Sequence, residues 1–334
     1  MKKKYITYLY LFLVVIVMAQ PPSIAWQKRI GSNKNDLASC MKPTTDGGFI
    51  VGGRSDSNAF YEKSENTRGS TDYWVVKTDA NGNIELDKTI GGGDQYLPTP
   101  LYRFDVLRSI VQTLDGGYIL AGDSNSPISG DKTEACRGDY DYWLVKLSAT
   151  GALEWQKTIG GNGFEILREV INTQDGGFFI AGDSKSNISG EKTEGSRGKY
   201  DMWLLKLSNV GNIEWQKTIG GTNDDGVRSV IQNTDSSYIL IGSSDSPISN
   251  EKTKAGKGYS DIWLLKLDSS GTIIQEKVIG GNQSEGGNGI IPTDDGNYLI
   301  TATSLSGISG DKTEICRGGQ DLWILKIDPQ FNII

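Results

Sequence analysis

The 334-residue chain contains no histidine, and only three cysteines, four methionines and nine prolines. Without imidazole there is no histidine general base, no histidine-activated nucleophile and no histidine-ligated zinc. Three cysteines are too few for a disulfide-held scaffold. Cys136 and Cys316 stand in equivalent words, Ala-Cys-Arg-Gly and Ile-Cys-Arg-Gly. A bridge between them requires their loops to meet over a shared face; two separate surface thiols are the simpler alternative. Cys40 lies in an apolar strand and reads as a core residue.

Long hydrophobic runs are missing too, apart from residues 6–18. That run of thirteen follows Lys2, Lys3 and Lys4, and Val17 near its end and Ala19 just after it supply the small residues of an export signal cut before Gln20. It falls short of the roughly 20 residues a bilayer span needs, so no membrane span is expected after cleavage. Positive charge is scarce, with 34 Lys and Arg against 41 Asp and Glu, a net charge of −7 that becomes −10 without the three signal lysines. Such a surface has no general attraction for phosphate backbones or anionic lipid, which argues against nucleic acid as a partner.

What the chain has is a repeat. The word Asp-x-Trp followed by apolar residues and Lys recurs five times, with its tryptophans at Trp74, Trp143, Trp203, Trp263 and Trp323. The spacings are 69, 60, 60 and 60, and an insertion between Gly93 and Asp105 accounts for the long one. The third unit shows the strands clearly. Residues 167–173 form an apolar-rich run closed by Gln-Asp-Gly-Gly, a hairpin signal, before a second strand at 178–183. A polar segment, 184–200, leads to a third strand at 201–207, and a turn at 208–211 leads to a fourth at 212–219. No helical period is sustained anywhere in the unit.

Four short strands per unit at a fixed period predict an all-β fold, a single β-propeller of five four-stranded blades of about 60 residues. Strands such as Tyr-Trp-Leu-Val are apolar on both parities, as blades covered on both faces require. A sandwich needs no such repeat, and solenoid coils are usually half this length or less. The expected organisation is a signal at 1–19 and a propeller at 20–334, with units at about 26–85, 86–154, 155–214, 215–274 and 275–334. Residues 24–30 match the fourth strand at 213–219, so the N-terminal strand is expected to complete the last blade and close the ring. Ile333 and Ile334 already occupy the start of that strand, however, and a piece of a longer array would end in the same way.

The words Trp-Gln-Lys-Thr-Ile-Gly-Gly (155–161, 215–221), Asp-Gly-Gly-Tyr-Ile-Leu-Ala-Gly (115–122) and Ser-Gly-Asp-Lys-Thr-Glu (129–134, 309–314) resemble the secreted β-propeller repeat proteins of Bacteroidetes. The resemblance covers residues 26–334. It implies export and a propeller, and carries no catalytic residues.

Most repeated residues read as structural. The five third-strand tryptophans are expected in the core, where each buries roughly 200 Å², on the order of 5 kcal/mol before entropic corrections. Trp26, Trp155 and Trp215, replaced by Leu86 and Gln275 in other units, suggest partial exposure and a weaker case for surface binding. The repeated Asp and Lys read as strand-end hydrogen-bond partners and blade-to-blade ion pairs, since catalytic constellations are asymmetric. Asp79 to Asn83 is a hairpin turn, because its glycine misses the sixth position of a calcium loop. Calcium stays a candidate ion without a specified site, and no other cofactor is indicated. The Gly-x4-Gly-Lys-Ser/Thr spacing of a phosphate loop is absent.

Up-and-down strand order places the long segments 58–71, 124–140, 184–200, 244–260 and 304–320 on one face, together with the 93–103 insertion. Loops on a rigid scaffold are where binding groups concentrate. The candidates for ligand binding are Gln95, Tyr96, Tyr102 and Arg103 of the insertion, and Glu165, Asp225 and Glu285 near the axis. Asp36, Asp105 and Asp224 stand at comparable places. No catalytic residue is singled out. The first function is non-catalytic recognition of an extracellular ligand, glycan or protein, by an exported protein of the secreted, periplasmic or cell-envelope class. The alternatives are a carbohydrate-active hydrolase or lyase using funnel carboxylates, and a structural spacer or assembly module of the envelope.

Overall fold

The computed structural model describes residues 23–93 and 103–334. The signal, Gln95, Tyr96 and Tyr102 lie outside the described residues. Within them there are nineteen strands and no helix. The first sheet consists of β1 (Asp36–Pro43), β2 (Phe49–Ser55), β3 (Asp72–Thr78) and β4 (Ile84–Ile90). The second is β5 (Asp105–Gln112), β6 (Tyr118–Ser124), β7 (Asp141–Leu147) and β8 (Leu153–Ile159). The third is β9 (Glu165–Asn172), β10 (Phe178–Ser184), β11 (Asp201–Leu207) and β12 (Ile213–Ile219). The fourth is β13 (Asp225–Gln232), β14 (Tyr238–Ser244), β15 (Asp261–Leu267) and β16 (Ile273–Ile279). The fifth has three strands, β17 (Glu285–Pro292), β18 (Tyr298–Ser304) and β19 (Asp321–Ile327).

Every sheet is an antiparallel meander in sequence order, and the first strands of the second to fifth sheets, β5, β9, β13 and β17, each pack against the first three strands of the preceding sheet. Residues from four first strands, among them Lys42, Glu169, Val230 and Ile290, line one cavity of about 700 Å³. The first strands are therefore innermost and the sheets are blades around a common axis. The hairpins follow from local chemistry. In Thr173-Gln-Asp175-Gly-Gly, Asp175 accepts from the Thr173 hydroxyl at 2.5 Å and the Gly177 N–H at 3.1 Å, while Gly176 takes φ +84°, which a side chain would resist.

The tryptophans hold the blades together. Trp143, Trp203 and Trp263 are fully buried, Trp74 nearly so, and Trp323 half-buried. The indole N–H of Trp203 donates to Gln216 at 3.0 Å, and that of Trp143 to Gln156 at 2.9 Å; this explains the Gln of Trp-Gln-Lys-Thr-Ile. Trp155 and Trp215 are half-buried, lying over the turn glycines Gly211 and Gly271 of the next blade. The lysine of the repeated word bridges partners in its own sheet: Lys146 reaches Asp115 at 3.0 Å and Glu154 at 2.9 Å. This corrects the expectation of blade-to-blade pairs at that position.

The long segments do form such pairs. Arg68 meets Asp131 at 2.9 Å, Arg137 meets Glu191 at 2.6 Å, Arg197 meets Glu251 at 2.8 Å, and Lys257 meets Asp311. Each segment turns at the same point, with positive φ at Tyr61, Gly130, Gly190, Asn250 and Gly310. The second to fifth segments also each send a buried lysine over the tryptophan ring of their blade, and Lys192 donates from there to Thr218 at 2.7 Å. These segments staple neighbouring blades rather than wave above them.

The cysteines are free. Cys136 and Cys316 each donate to a carbonyl within their own blade, Ser124 at 3.1 Å and Ser304 at 3.3 Å, where the third blade uses Ser196. The bridge alternative is thereby set aside. Burial pushes the Cys40 thiol up to about 12.

The N-terminal clasp is not formed. Residues 24–30 carry no ladder; the Trp26 indole donates to Ala80 at 3.0 Å, over the β3–β4 turn, as Trp215 does to Ser269 in the fourth blade. Beside β19 stands the chain's own Ile333, bridged to Ile327, with the Ile334 N–H bonded to Lys326. The two-residue overlap visible in the sequence is resolved in favour of the C-terminal end.

Candidate functional site

The acidic candidates are consumed by the scaffold. Glu165, Asp225 and Glu285 open β9, β13 and β17 and are buried. Glu165 accepts from Ser184, Ser186 and the Gly161 N–H at 2.7, 2.5 and 2.9 Å. Asp225 binds Ser246 and the Gly221 N–H at 2.7 and 2.5 Å; Glu285 binds Ser304 and the Gly281 N–H, both at 2.7 Å. They tie each first strand to the end of the preceding blade, and the expected ligand role does not suit carboxylates so enclosed. Asp36 does the same in the first blade, bonding Ser55 and Ser32. Asp224 alone of the acidic set sits at the rim, 3.7 Å from Lys199.

A second carboxylate joins each of these knots. Asp201, at the start of β11, accepts from the Arg197 and Gly198 N–H groups and lies against Gly220, where a Cβ would overlap it. The glycine of Thr-Ile-Gly-Gly is required by this close approach. Burial raises Asp72, Asp141 and Asp201 to about 6 and Asp105 to about 7, and the facing acid adds to the rise in Asp105, Asp141 and Asp201. One oxygen each of Asp105, Asp201, Asp225 and Asp261 has no hydrogen-bond partner.

Arg103 of the insertion is half-buried and donates to the Asn125 carbonyl at 2.8 Å. The side chains that do reach the axial mouth on the long-loop face were not singled out by the sequence. Every first strand carries a β-bulge whose extra residue has no partner in the ladder: Ser39, Arg108, Arg168, Arg228 and Asn288. A bulge re-aims a side chain out of the alternating pattern, and here it delivers arginine in three consecutive blades. Arg108 Nε lies 2.8 Å from Asp123, and Arg168 Nε 2.7 Å from Asp183, with Arg228 3.6 Å from the same Asp183. The other oxygens of Asp123 and Asp183 accept the N–H groups of Leu167 and Val227 in the next blade, at 2.5 and 2.9 Å. Burial lifts both acids, Asp123 to about 6, against the pull of the arginines. Arg228 is lowered by burial and then by Arg168.

Aromatic rings stand beside the arginines. Tyr140 and Phe164 stack with centroids 5.4 Å apart and planes 21° from parallel, and Lys185 lies 4.1 Å over Phe164 and 5.9 Å over Tyr200. One recess is lined by Arg54, Phe104, Arg108, Tyr140 and Phe164, and the next by Arg168, Lys199, Tyr200, Asp224 and Arg228. The signal for the arginines was present in the sequence, as the fourth residue of Asp-Val-Leu-Arg, Glu-Ile-Leu-Arg and Asp-Gly-Val-Arg.

The larger 700 Å³ cavity opens elsewhere, toward the tight turns. Its walls are chiefly aliphatic, including Ile171, Ile231, Ile290 and Ile291, with Lys42 as its cation and Glu169 tied to the Val230 N–H at 2.7 Å. Among the described residues no cluster of three or more His, Cys, Asp or Glu suits a metal ion.

No protein-family profile matches the chain, and no curated protein matches it in sequence. Among solved structures it is similar to a protein of unknown function from Dyadobacter fermentans, at 11% identity over 90% of this chain and 82% of that one, with a TM-score of 0.50. The fold is that of a β-propeller. The chain is also similar to a protein of unknown function from Bacteroides caccae (10% identity, 93% of this chain and 84% of that one, TM-score 0.47). An α-L-arabinofuranosidase from Lactobacillus brevis is similar at 9% identity over 88% of this chain and 91% of that one, with a TM-score of 0.43. At these identities the likeness concerns fold alone.

Proposed function

We propose that this is an exported propeller that recognises an extracellular ligand, a glycan or a protein, without chemically altering it. The ligand meets the axial mouth on the long-loop face. One observation carries this reading: Glu165, Asp225 and Glu285 are enclosed in serine and glycine hydrogen bonds, whereas arginines and aromatic rings line the mouth, with Asp224 beside Lys199 at its rim. Glycoside hydrolysis needs two carboxyl groups that reach the scissile bond, and Glu165, Asp225 and Glu285 are shut away from solvent. Rings and guanidinium forks are the equipment of a binding surface.

The test is a glycan array probed with the mature protein, with and without calcium, followed by product analysis of every glycan retained. Binding without product supports the reading. Cleaved product from any glycan overturns it in favour of a carbohydrate-active enzyme, and an empty array with no protein captured leaves the spacer role standing instead.

A further inference from the structure

We propose that the bulge arginines Arg108, Arg168 and Arg228 form a receptor for an oxyanion carried on a sugar, so that the ligand is an acidic glycan bearing carboxylate or sulfate groups. This rests on the recognition reading above and names its ligand class.

The geometry supplies three parts. First, the bulges place three guanidinium groups on consecutive inner strands, and Arg168 and Arg228 share a single carboxylate, Asp183. Arg108 has Asp123. These three cations share two acids as direct partners, and each acid gives its other oxygen to a backbone N–H of the next blade. Asp224 and Asp245 also line the Arg168–Arg228 recess, Asp224 beside Lys199 and Asp245 bonded to the Asp224 N–H. Arg54 lines the Arg108 recess as a fourth cation. Second, the arginine forks are not saturated by this: both pairs of 2.9 Å or less are made through Nε, and a guanidinium presents five donors in a planar fork that matches carboxylate and sulfate oxygens. Third, Tyr140, backed by Phe164, and Tyr200 bring aromatic rings to the same mouth, with Lys185 over Phe164; such rings suit the C–H face of a pyranose.

Crowding of like charge fits the same picture. Arg228 is disfavoured in its charged form by burial and by Arg168 and Arg108, and an incoming anion relieves that repulsion. The chain as a whole carries −7, so a long polyanion gains nothing from the remaining surface. Selectivity for a short acidic stretch seated at the axis follows.

The experiment measures binding of the full chain to oligogalacturonate, to a sulfated oligosaccharide and to a neutral cello-oligosaccharide by calorimetry, at low and at 0.3 M salt. The expected result is binding of one or both acidic probes, weakened by salt, with the neutral probe at least tenfold weaker. Which acidic probe binds tells uronate from sulfate. Arg228→Gln is the first variant, because its nearest carboxylate is already 3.6 Å away, so removing it disturbs the scaffold least. Its affinity is expected to drop about tenfold at unchanged melting temperature, and Arg228→Lys to recover part of the loss. Equal binding of neutral and acidic probes, or acidic binding untouched by an Arg168→Gln/Arg228→Gln pair that still melts normally, overturns the anion receptor and leaves glycan recognition intact. Capture of an acidic peptide in place of every glycan overturns the ligand class. Failure to bind any ligand overturns both readings together.

Discussion

The third blade and the fifth carry nearly the same third-strand word, Asp-Met-Trp-Leu-Leu-Lys-Leu and Asp-Leu-Trp-Ile-Leu-Lys-Ile, and live in different surroundings. Met202 and Leu204 are completely buried, whereas Leu322 and Ile324 are 81% and 64% exposed. Ala181 is buried and its counterpart Thr301 is exposed. The first blade shows the reverse face of the same effect, with Leu37 and Met41 open to solvent. Burial of a blade is supplied by the next blade and not by its own ladder, so identical residues acquire their energetic weight from position in the array.

The comparison can be broken in three ways. The largest effect is expected for Leu204→Ala, which leaves a hole between the third and fourth blades and should cost about 2–5 kcal/mol. Ile324→Ala, at the corresponding site of the fifth, should cost under about 0.5 kcal/mol. Urea denaturation of both variants measures this, and equal losses would mean that the outer face of the last blade is covered in solution.

The second concerns pH at the inner knots. Asp105 is held at about 7 in the fold, far above its ordinary value, because burial disfavours its charge. The folded state thus binds a proton that the unfolded chain releases near pH 4. The associated stability is complete below about 4 and is lost as pH rises through about 7. Melting temperature should therefore fall between pH 5 and 8, and Asp105→Asn should flatten that slope by an amount on the order of 2–3 kcal/mol. Asp115 and Asp175, held near 2 by the Thr113 and Thr173 hydroxyls first and then by Lys146 and Lys206, act in the opposite sense and only in acid. Their stability is present above about 4 and fades as pH drops toward 2, so the two windows do not overlap. A slope unchanged by the Asn substitution would remove the knot as its source.

The smallest effect is at the tight-turn face. Lys146 is buried between Asp115 and Glu154, and Lys146→Ala should cost about 1 kcal/mol. Lys326 bonds Asp295 from a side chain 40% exposed, and Lys326→Ala should stay under about 0.5 kcal/mol. Thermal melts of the pair decide it.

Much of this architecture could be read from the residues. The Asp-Gly-Gly and Ser-x-x-Gly turns have local chemistry that fixes strand ends, and the tryptophans declared the core because a strand apolar on both parities must be covered twice. The repeated Ser-Gly-Asp-Lys-Thr words were read by their length, as loops free to bind. Their sameness meant a shared task, which proves to be stapling one blade to another. The acids at 165, 225 and 285 open the innermost strands and are spent on serine hydroxyls, because sequence shows a carboxyl group but not the hydroxyls folded over it. The bulge had no compositional mark at all. It shifts register by one residue within an otherwise regular strand, and strict alternation therefore misassigns Arg108, Arg168 and Arg228. The closing strand failed for a further reason: residues 24–30 have the sequence of a fourth strand, but likeness to a strand does not specify which edge is vacant for it.

The bulge in each inner strand also bears on how such a molecule can change. Because residues 39, 108, 168, 228 and 288 stand outside the ladder, exchanging one of them alters what the central opening presents while the sheet around it keeps every bond. The present set reads Ser, Arg, Arg, Arg, Asn. Descent by copying units would thus hand selection a row of dials, one per copy, each turned by a single codon.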